Sequence, residues 1–189
     1  MADVAHLRQH LLPSSEDATR LLAAMPNLTY IRLDDRDISA LEPEVSVVHS
    51  APVLLKSLAT PGPHLPCLRT LWLNSIRVDG AVLASMLELQ KNSLETTFLA
   101  KIVTTGTASW MHILKALHST NIERVMLWDM DLVDDNGEVV DFEFPAEVFQ
   151  AMRALSPQDH QPQLDKGYLY TERVKQMLGV ILQAAGIDV

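Results

Sequence analysis

The chain has one cysteine and no long hydrophobic run, and these absences exclude several classes of protein. Cys67 alone cannot form an internal disulfide or a multi-cysteine zinc site, and it fits a reducing intracellular compartment, the cytoplasm or the nucleus. No stretch reaches the roughly 18 consecutive apolar residues of a membrane-spanning helix. The N-terminus carries Asp3, Glu16 and Asp17 without a compact apolar core, so we expect no secretory signal.

Basic residues are also few, and they are scattered along the chain. There are 15 of them against 24 acidic residues, which gives a net charge of −9. Because neutralised phosphates supply much of the affinity for nucleic acid, this balance argues against DNA, RNA and anionic membranes as partners. The 48% of hydrophobic residues is typical of a globular domain that buries a core.

A short apolar pattern recurs four times along the chain. Its form is apolar-x-x-apolar-x-apolar, and the copies begin 40, 26 and 28 residues apart. The marked residues are Leu28, Ile31 and Leu33; Leu68, Leu71 and Leu73; Leu94, Thr97 and Leu99; and Ile122, Val125 and Leu127. Only Thr97 departs from the apolar pattern. Because the last two marked positions are two residues apart, each copy predicts a β-strand with both side chains on one face.

Each strand pattern is followed by residues with helical spacing. After the third copy, Trp110, Ile113, Leu114 and Leu117 form the stripe of an amphipathic helix. The other helices are predicted around Leu54, Leu55 and Leu58; Leu83, Met86 and Leu87; and Val148, Phe149, Met152 and Leu155. Units of this size cannot bury an apolar face alone, so they must stack, with each strand parallel to the one before it.

The two ends of the chain differ from the repeats. Short helices are predicted over residues 2–12 and 15–25, with a break at Pro13. Asn136-Gly137 predicts a β-hairpin, and residues 156–167 predict a loop. Thr171 is expected to cap a last helix, whose apolar face is Val174, Leu178, Ile181, Leu182 and Ala185. We therefore predict one domain over residues 1–189, with a helical cap at 1–27, a repeat core at 28–130, and a hairpin with a second helical cap at 131–189.

The L-x-x-L-x-L strands with intervening helices resemble the leucine-rich repeat in its ribonuclease-inhibitor-like α/β form. Residues 65–130 resemble more narrowly the repeat region of filamentous-fungal F-box proteins, with the turn Val78-Asp79-Gly80 and with Trp110 opening the next helix. The resemblance implies an α/β solenoid with a parallel sheet inside and helices outside, serving as a substrate-recognition segment of a ubiquitin ligase.

Two features depart from that family. The ninth repeat position, usually Asn or Cys, is Arg36, Ile76, Ile102 and Met130. No F-box is recognisable in residues 1–27, so binding to the ubiquitin-ligase adaptor is not implied. The expected function is recognition of another protein.

One segment suggests an enzyme instead. Asp129-x-Asp131 follows an apolar strand and resembles the first motif of haloacid-dehalogenase-type phosphatases, in which the two aspartates act as nucleophile and acid/base. That motif continues with Gly-Thr, whereas Leu132-Val133 follows here. Acidic side chains at a strand end are therefore the favoured interpretation, and a small phosphatase is the alternative.

Metal sites have weaker support. If Gly137 is taken as the sixth residue of a calcium-binding loop, the first position is Leu132, whose side chain cannot bind a metal ion. His6 and His10 have a zinc-like spacing on a helix but no evident third ligand. Cys67 has no adjacent His or Lys to activate its thiol, so we expect it to be a small buried side chain rather than a nucleophile. We expect no catalytic residues, no metal and no cofactor.

Residues between the inward positions of the strands must face the opposite, concave side of the sheet. Strand alternation places them in three rows, which are Arg32, Trp72, Phe98 and Met126; Asp34, Asn74, Ala100 and Trp128; and Tyr30, Thr70, Thr96 and Arg124. Aromatic residues and arginine dominate many interfaces. The predicted partner-binding residues are Tyr30, Arg32, Trp72, Asn74, Phe98, Arg124, Met126 and Trp128. The alternative is that another segment of the chain covers these side chains.

Overall fold

The structure is a computed structural model that describes residues 5–6, 15–34, 50–60, 65–106, 110–155, 169–171 and 174–188. It is an α/β fold in which one layer of helices packs on a mostly parallel sheet. The strands are β1 (Ala5–His6), β2 (Tyr30–Asp34), β3 (Thr70–Asp79), β4 (Thr96–Thr105), β5 (Arg124–Val133), β6 (Val139–Asp141) and β7 (Leu169–Thr171). The helices are α1 (Ser15–Ala23), α2 (Ser50–Leu58), α3 (Gly80–Leu89), α4 (Trp110–Ser119), α5 (Ala146–Leu155) and α6 (Val174–Ala184).

The first five strands are parallel and lie side by side in chain order. The predicted adjacency of the four repeat strands is therefore confirmed, and their equivalent positions are paired, as in Leu71 with Thr97 and Thr97 with Val125. The helix predicted over 2–12 is wrong at Ala5–His6, which pair as a strand with Ile31 and Arg32. Two residues are too few to show a period of their own, and their pairing with β2 determines their conformation.

The core lies between the sheet and the helices. The inward strand residues Leu71, Leu73, Leu99 and Leu127 have no exposed surface, and the predicted α4 stripe is equally buried. Neighbouring helices pack on one another in the order α1, α2, α3, α4, α6 and α5. For α1 to α4 this row follows from right-handed connections between parallel strands, which place the helices on the same side of the sheet, and α6 and α5 extend the row by packing beside α4.

The turn Val78-Asp79-Gly80 is a helix N-cap. Asp79 has an extended backbone, and its carboxylate accepts a 2.8 Å hydrogen bond from the Ala81 N–H at the start of α3. Gly106, in the next unit, lies so close that a Cβ there would be 3.2 Å from the Asp79 carboxylate. The cap of one unit therefore packs against the backbone of the next.

The three long strands share a backbone irregularity that the repeat pattern did not predict. Ser75, Lys101 and Asp129 have positive φ angles of 55, 53 and 48° at the same place in β3, β4 and β5. The residues on either side of each one are paired normally, so strand alternation restarts after it. The ninth-position residues Ile76, Ile102 and Met130 consequently point inward and form a further buried row where the typical repeat has asparagine.

The chain after β5 covers the outer edge of the sheet. The predicted hairpin is confirmed, because β6 pairs antiparallel with residues 131–133 of β5. In its turn, the Asp134 carboxylate accepts hydrogen bonds from the Asn136 and Glu138 N–H groups, both at 2.9 Å. The short strand β7 was not predicted, and it pairs with residues 125–127 of β5.

The last helix differs from the prediction at its N-terminus. Thr171 does not cap it, because this residue lies in β7 and α6 begins at Val174. Its predicted apolar face is confirmed at Leu178, Ile181 and Leu182, all fully buried. The predicted loop over 156–167 lies outside the described residues. None of the helices in the described ranges has the length and apolarity to cross a bilayer.

Thr97 provides a test of the inward row. It occupies a core position between Leu71 and Val125 with no exposed surface, and in the described structure its hydroxyl has no hydrogen-bond partner. An unsatisfied buried hydroxyl costs about 1–3 kcal/mol. We therefore expect Thr97→Val to raise the free energy of unfolding by about 1–2 kcal/mol in urea denaturation.

The matched control for this substitution is Thr96→Val. Thr96 is the preceding residue on the opposite, partly exposed face of the same strand, so its substitution should change stability little. A loss of stability in Thr97→Val would show that the hydroxyl is satisfied and that the inward row is described incorrectly.

Candidate protein-binding face

The sheet face opposite the helices carries the three rows predicted from the sequence. Strand pairing aligns Arg32 with Trp72, Trp72 with Phe98, and Phe98 with Met126. The second row aligns Asp34, Asn74, Ala100 and Trp128, and the third aligns Tyr30, Thr70, Thr96 and Arg124. We call the side chains of Arg32, Trp72, Phe98, Met126 and Trp128 the aromatic face.

The centre of the aromatic face is a stack of three planar groups. The Trp72 and Phe98 ring centroids are 4.7 Å apart at an interplanar angle of 29°, and the Arg32 guanidinium carbon lies 4.8 Å from the Trp72 ring centroid. A guanidinium nitrogen of Arg32 lies 3.4 Å from a carboxylate oxygen of Asp34, and the same carboxylate accepts a 2.9 Å hydrogen bond from the side-chain amide of Asn74. These contacts restrict the rotamers of the stack before any partner arrives, which lowers the entropic cost of binding.

The same side chains remain accessible to solvent. Trp72, Phe98 and Met126 are partly exposed, and Trp128 is 47% exposed, whereas the inward residues between them are fully buried. Tyr30 and Asn74 are partly exposed and Arg124 is exposed. Tyr30 and Arg124 lie three strand spacings apart, or about 14 Å at 4.8 Å per strand, so they flank the aromatic face and do not touch.

The alternative of coverage by another segment finds no support in the described helices, all of which pack in the row on the other side of the sheet. Among the described residues after β6, the strand β7 reaches this region and extends the sheet at its edge. Its backbone pairs Tyr170 with Met126, in register with the central row. Sequence reasoning missed Tyr170 because a three-residue strand carries no detectable period.

The aspartates of the phosphatase alternative lie within β5, and the prediction of acids at a strand end is wrong in that respect. Asp129 is the positive-φ residue, and Asp131 pairs with Asp141 of β6. The backbone carbonyl of Asp131 accepts hydrogen bonds from the Trp110 indole at 2.8 Å and from the Thr104 hydroxyl at 3.1 Å. The strand thus continues to Val133 through both acids.

The surroundings of Asp131 disfavour the charged form of its carboxyl group. Its pKa is raised above the usual value, first because partial burial disfavours the charged form, and then because Asp141 and Asp129 lie close by. In the folded state Asp131 therefore holds its proton more tightly than in the unfolded chain. Its ionisation lowers stability as the pH rises through that raised pKa.

We accordingly expect Asp131→Asn to stabilise the protein at neutral pH. Directly opposed like charges on paired strands destabilise by about 0.2–1 kcal/mol, and removing one should recover an amount of that order. The gain should be present at pH 7 and should vanish as the pH falls below the usual aspartate pKa, where wild-type Asp131 is also protonated. Urea unfolding at pH 7 and pH 3 measures both values.

Asp135→Asn is the control for that experiment, because Asp135 is exposed in the hairpin turn. It should leave stability nearly unchanged at both pH values. A variant Asp131→Asn that is less stable than wild type at pH 7 would contradict the repulsion between the paired acids.

The other candidate ligands and nucleophiles are not brought together. His6 lies in β1 and not on a helix, while His10 lies outside the described residues. Cys67 lies in the turn before β3 and is partly exposed, which corrects the expectation of a buried residue. Within the described ranges, no group of three or more His, Cys, Asp or Glu side chains is arranged to hold a metal ion.

Comparison of the chain with protein-family models, with curated proteins and with solved structures finds no match.

Proposed function

We propose that this protein is a short leucine-rich-repeat-like solenoid of about four repeats that binds another protein, without catalysis, through its aromatic face. The order of the strands and helices supports the proposal. The repeat strands are parallel neighbours in chain order, and the helices that follow them lie on one side of the sheet. The helical segments at the two ends act as caps. The protein partner is a substrate brought to a ubiquitin ligase, in keeping with the resemblance to F-box proteins.

The observation that carries the proposal is the stack of Arg32, Trp72 and Phe98 on a sheet face that the described helices leave uncovered. An aromatic side chain contributes about 150–250 Å² of buried area when it is fully covered. A partner can cover only the part that is still exposed in the free protein, so Trp128, at 47% exposed, has the most area to contribute, and the partly exposed Trp72 and Phe98 add to it within the roughly 800 Å² per partner of a standard interface.

The position of these residues also matches the usual anatomy of an interface. Trp72 and Phe98 are in the central row, with Tyr30 and Arg124 in the row on one side and Asn74 in the row on the other. Residues that dominate binding lie near the centre of an interface, and polar neighbours exclude water from them.

The test is the double variant Trp72→Ala/Trp128→Ala. We expect it to lose capture of the partner in affinity purification with mass spectrometry, because it removes the two largest side chains of the aromatic face. Circular dichroism should show a folded protein, since both side chains point away from the core.

The matched control is Leu89→Ala, because Leu89 is 38% exposed on the helix layer. It should capture the same proteins as wild type. A double variant that folds and still captures them would contradict the proposal, and a double variant that unfolds would show that these residues belong to the core.

A further inference from the structure

The exposed apolar side chains of the described structure are concentrated at one corner of the sheet. Of its four exposed large apolar residues, three lie on β5 and β6, namely Trp128 at 47%, Val139 at 52% and Val140 at 37%. Trp128 and Val139 lie on the outward face on either side of the Asp131–Asp141 pair, whereas Val140 is paired with Leu132 and faces the other side of the sheet. An exposed tryptophan is a common anchor of protein interfaces.

Strand alternation shows which of these residues face the partner. On β5 the outward positions after Trp128 are Asp131 and Val133, because Met130 is buried and alternation restarts after Asp129. On β6, Asp141 pairs with Asp131, and Val139 pairs with Val133. We call Trp128, Asp131, Val133, Val139 and Asp141 the β5–β6 corner, in which two facing carboxylates lie between apolar groups.

The charge of this corner is one-sided. Residues 129–143 contain seven Asp or Glu and no Lys or Arg. The basic residues of the same face lie away from the corner: Arg77 is in the row of Asp131 but two strands away, Lys101 is on β4, and Arg124 is at the start of β5, seven residues before Asp131. Arg32 is already paired with Asp34. The β5–β6 corner is therefore acidic, with no basic residue of its own strands closer in sequence than Arg124.

From this arrangement we infer that the β5–β6 corner binds a basic, partly apolar segment of a partner protein, in which a Lys or Arg inserts between Trp128 and the Asp131–Asp141 pair. The inference rests on the proposed function and specifies the chemistry of its partner. A basic, partly apolar segment satisfies all parts of the corner at once: the charge of its Lys or Arg meets the two carboxylates and the aliphatic stem packs on Trp128, while a neighbouring apolar side chain of the segment packs on Val139.

Two other occupants fit the corner less well. A second copy of the chain would bring seven like charges against seven, which Coulomb repulsion disfavours. A metal ion does not fit, because the described residues of the corner do not form a group able to hold one. The raised pKa of Asp131 agrees with a site that lacks a neutralising cation when it is empty.

The experiment selects ligands without assuming a partner. Random short peptides displayed on phage are selected on the immobilised full chain and then counter-screened on Trp72→Ala/Trp128→Ala. We expect the peptides that depend on these tryptophans to be enriched in Lys or Arg next to an aliphatic or aromatic residue.

Synthetic peptides from the selection are then measured by fluorescence anisotropy. Their affinity should fall by about tenfold or more on Asp131→Asn/Asp141→Asn, since hydrogen bonds to charged groups are lost. It should also fall on raising the salt concentration, because screening weakens exposed charge pairs. The control variant is Glu88→Gln/Asp188→Asn, which removes two exposed acids from the helix layer, and it should bind as wild type does.

The outcomes separate the two proposals. Selected peptides that need the tryptophans but are neutral or acidic, or that bind Asp131→Asn/Asp141→Asn as tightly as the control, would overturn the inference and leave the proposed function standing. If no selected peptide depends on Trp72 and Trp128, both the inference and the proposed function are wrong.

Discussion

Leu114→Ala is expected to lower the free energy of unfolding by about 2–5 kcal/mol, the range seen when a buried leucine is truncated and leaves a cavity. Leu114 has no exposed surface in α4, between the buried residues Ile113 and Leu117. The helix α4 packs against both α3 and α6, so the gap left by the missing side chain has rigid walls and collapses poorly. This places the loss within the range for core leucines rather than for surface ones.

Urea unfolding monitored by circular dichroism measures this change. Lys115→Ala is the matched control, because Lys115 is the next residue of the same helix and is exposed, and alanine keeps the helix propensity. It should change stability by less than about 0.5 kcal/mol. An equally small change in Leu114→Ala would mean that the face of α4 assigned to the core is wrong.

Trp110→Ala is expected to cost about 3–5 kcal/mol, which is the usual cost of truncating a buried Phe or Trp. Trp110 is the largest fully buried side chain in the described structure, and it begins α4. Its ring contacts Phe142 at a centroid distance of 6.3 Å, and its indole N–H donates to the Asp131 carbonyl. The residue therefore joins a helix, the strand β5 and the segment after β6.

Trp110→Phe separates packing from hydrogen bonding at this site. It keeps most of the ring but removes the indole N–H, while the Thr104 hydroxyl still donates to the Asp131 carbonyl. We expect a loss of about 1 kcal/mol for the hydrogen bond, plus the contribution of the smaller ring. A loss as large as that of Trp110→Ala would show that the hydrogen bond, and not the burial of the ring, is the main contribution.

Much of the aromatic face could be predicted from the sequence. Because side chains alternate with a period of two, the repeated apolar pair in each strand determines which residues face the other way. Because the spacing within each strand copy is the same, equivalent positions align, which is why Trp72 and Phe98 were expected to be neighbours and are paired. The contact of Arg32 with Trp72 follows from the same alignment.

Other features carry no local signal. The two-residue strand β1 and the three-residue strand β7 are too short to show a period, and only pairing with an existing neighbour makes them strands. The left-handed residues Ser75, Lys101 and Asp129 share no side-chain type. An L-residue in this conformation costs about 1–2 kcal/mol, so the paired residues on both sides must hold it there.

The amino-acid sequence by itself determined the inward residues of the four repeat strands, the buried stripe of α4, and the alignment of Trp72 with Phe98 on the opposite face, because burial leaves a periodic pattern along each element. Only the tertiary structure decided that Asp131 faces Asp141, that alternation restarts within the three long strands, and that Trp128 belongs to the acidic β5–β6 corner. These depend on contacts between residues distant in the chain. No single segment records such contacts, because their energies exist only when the sheet is assembled.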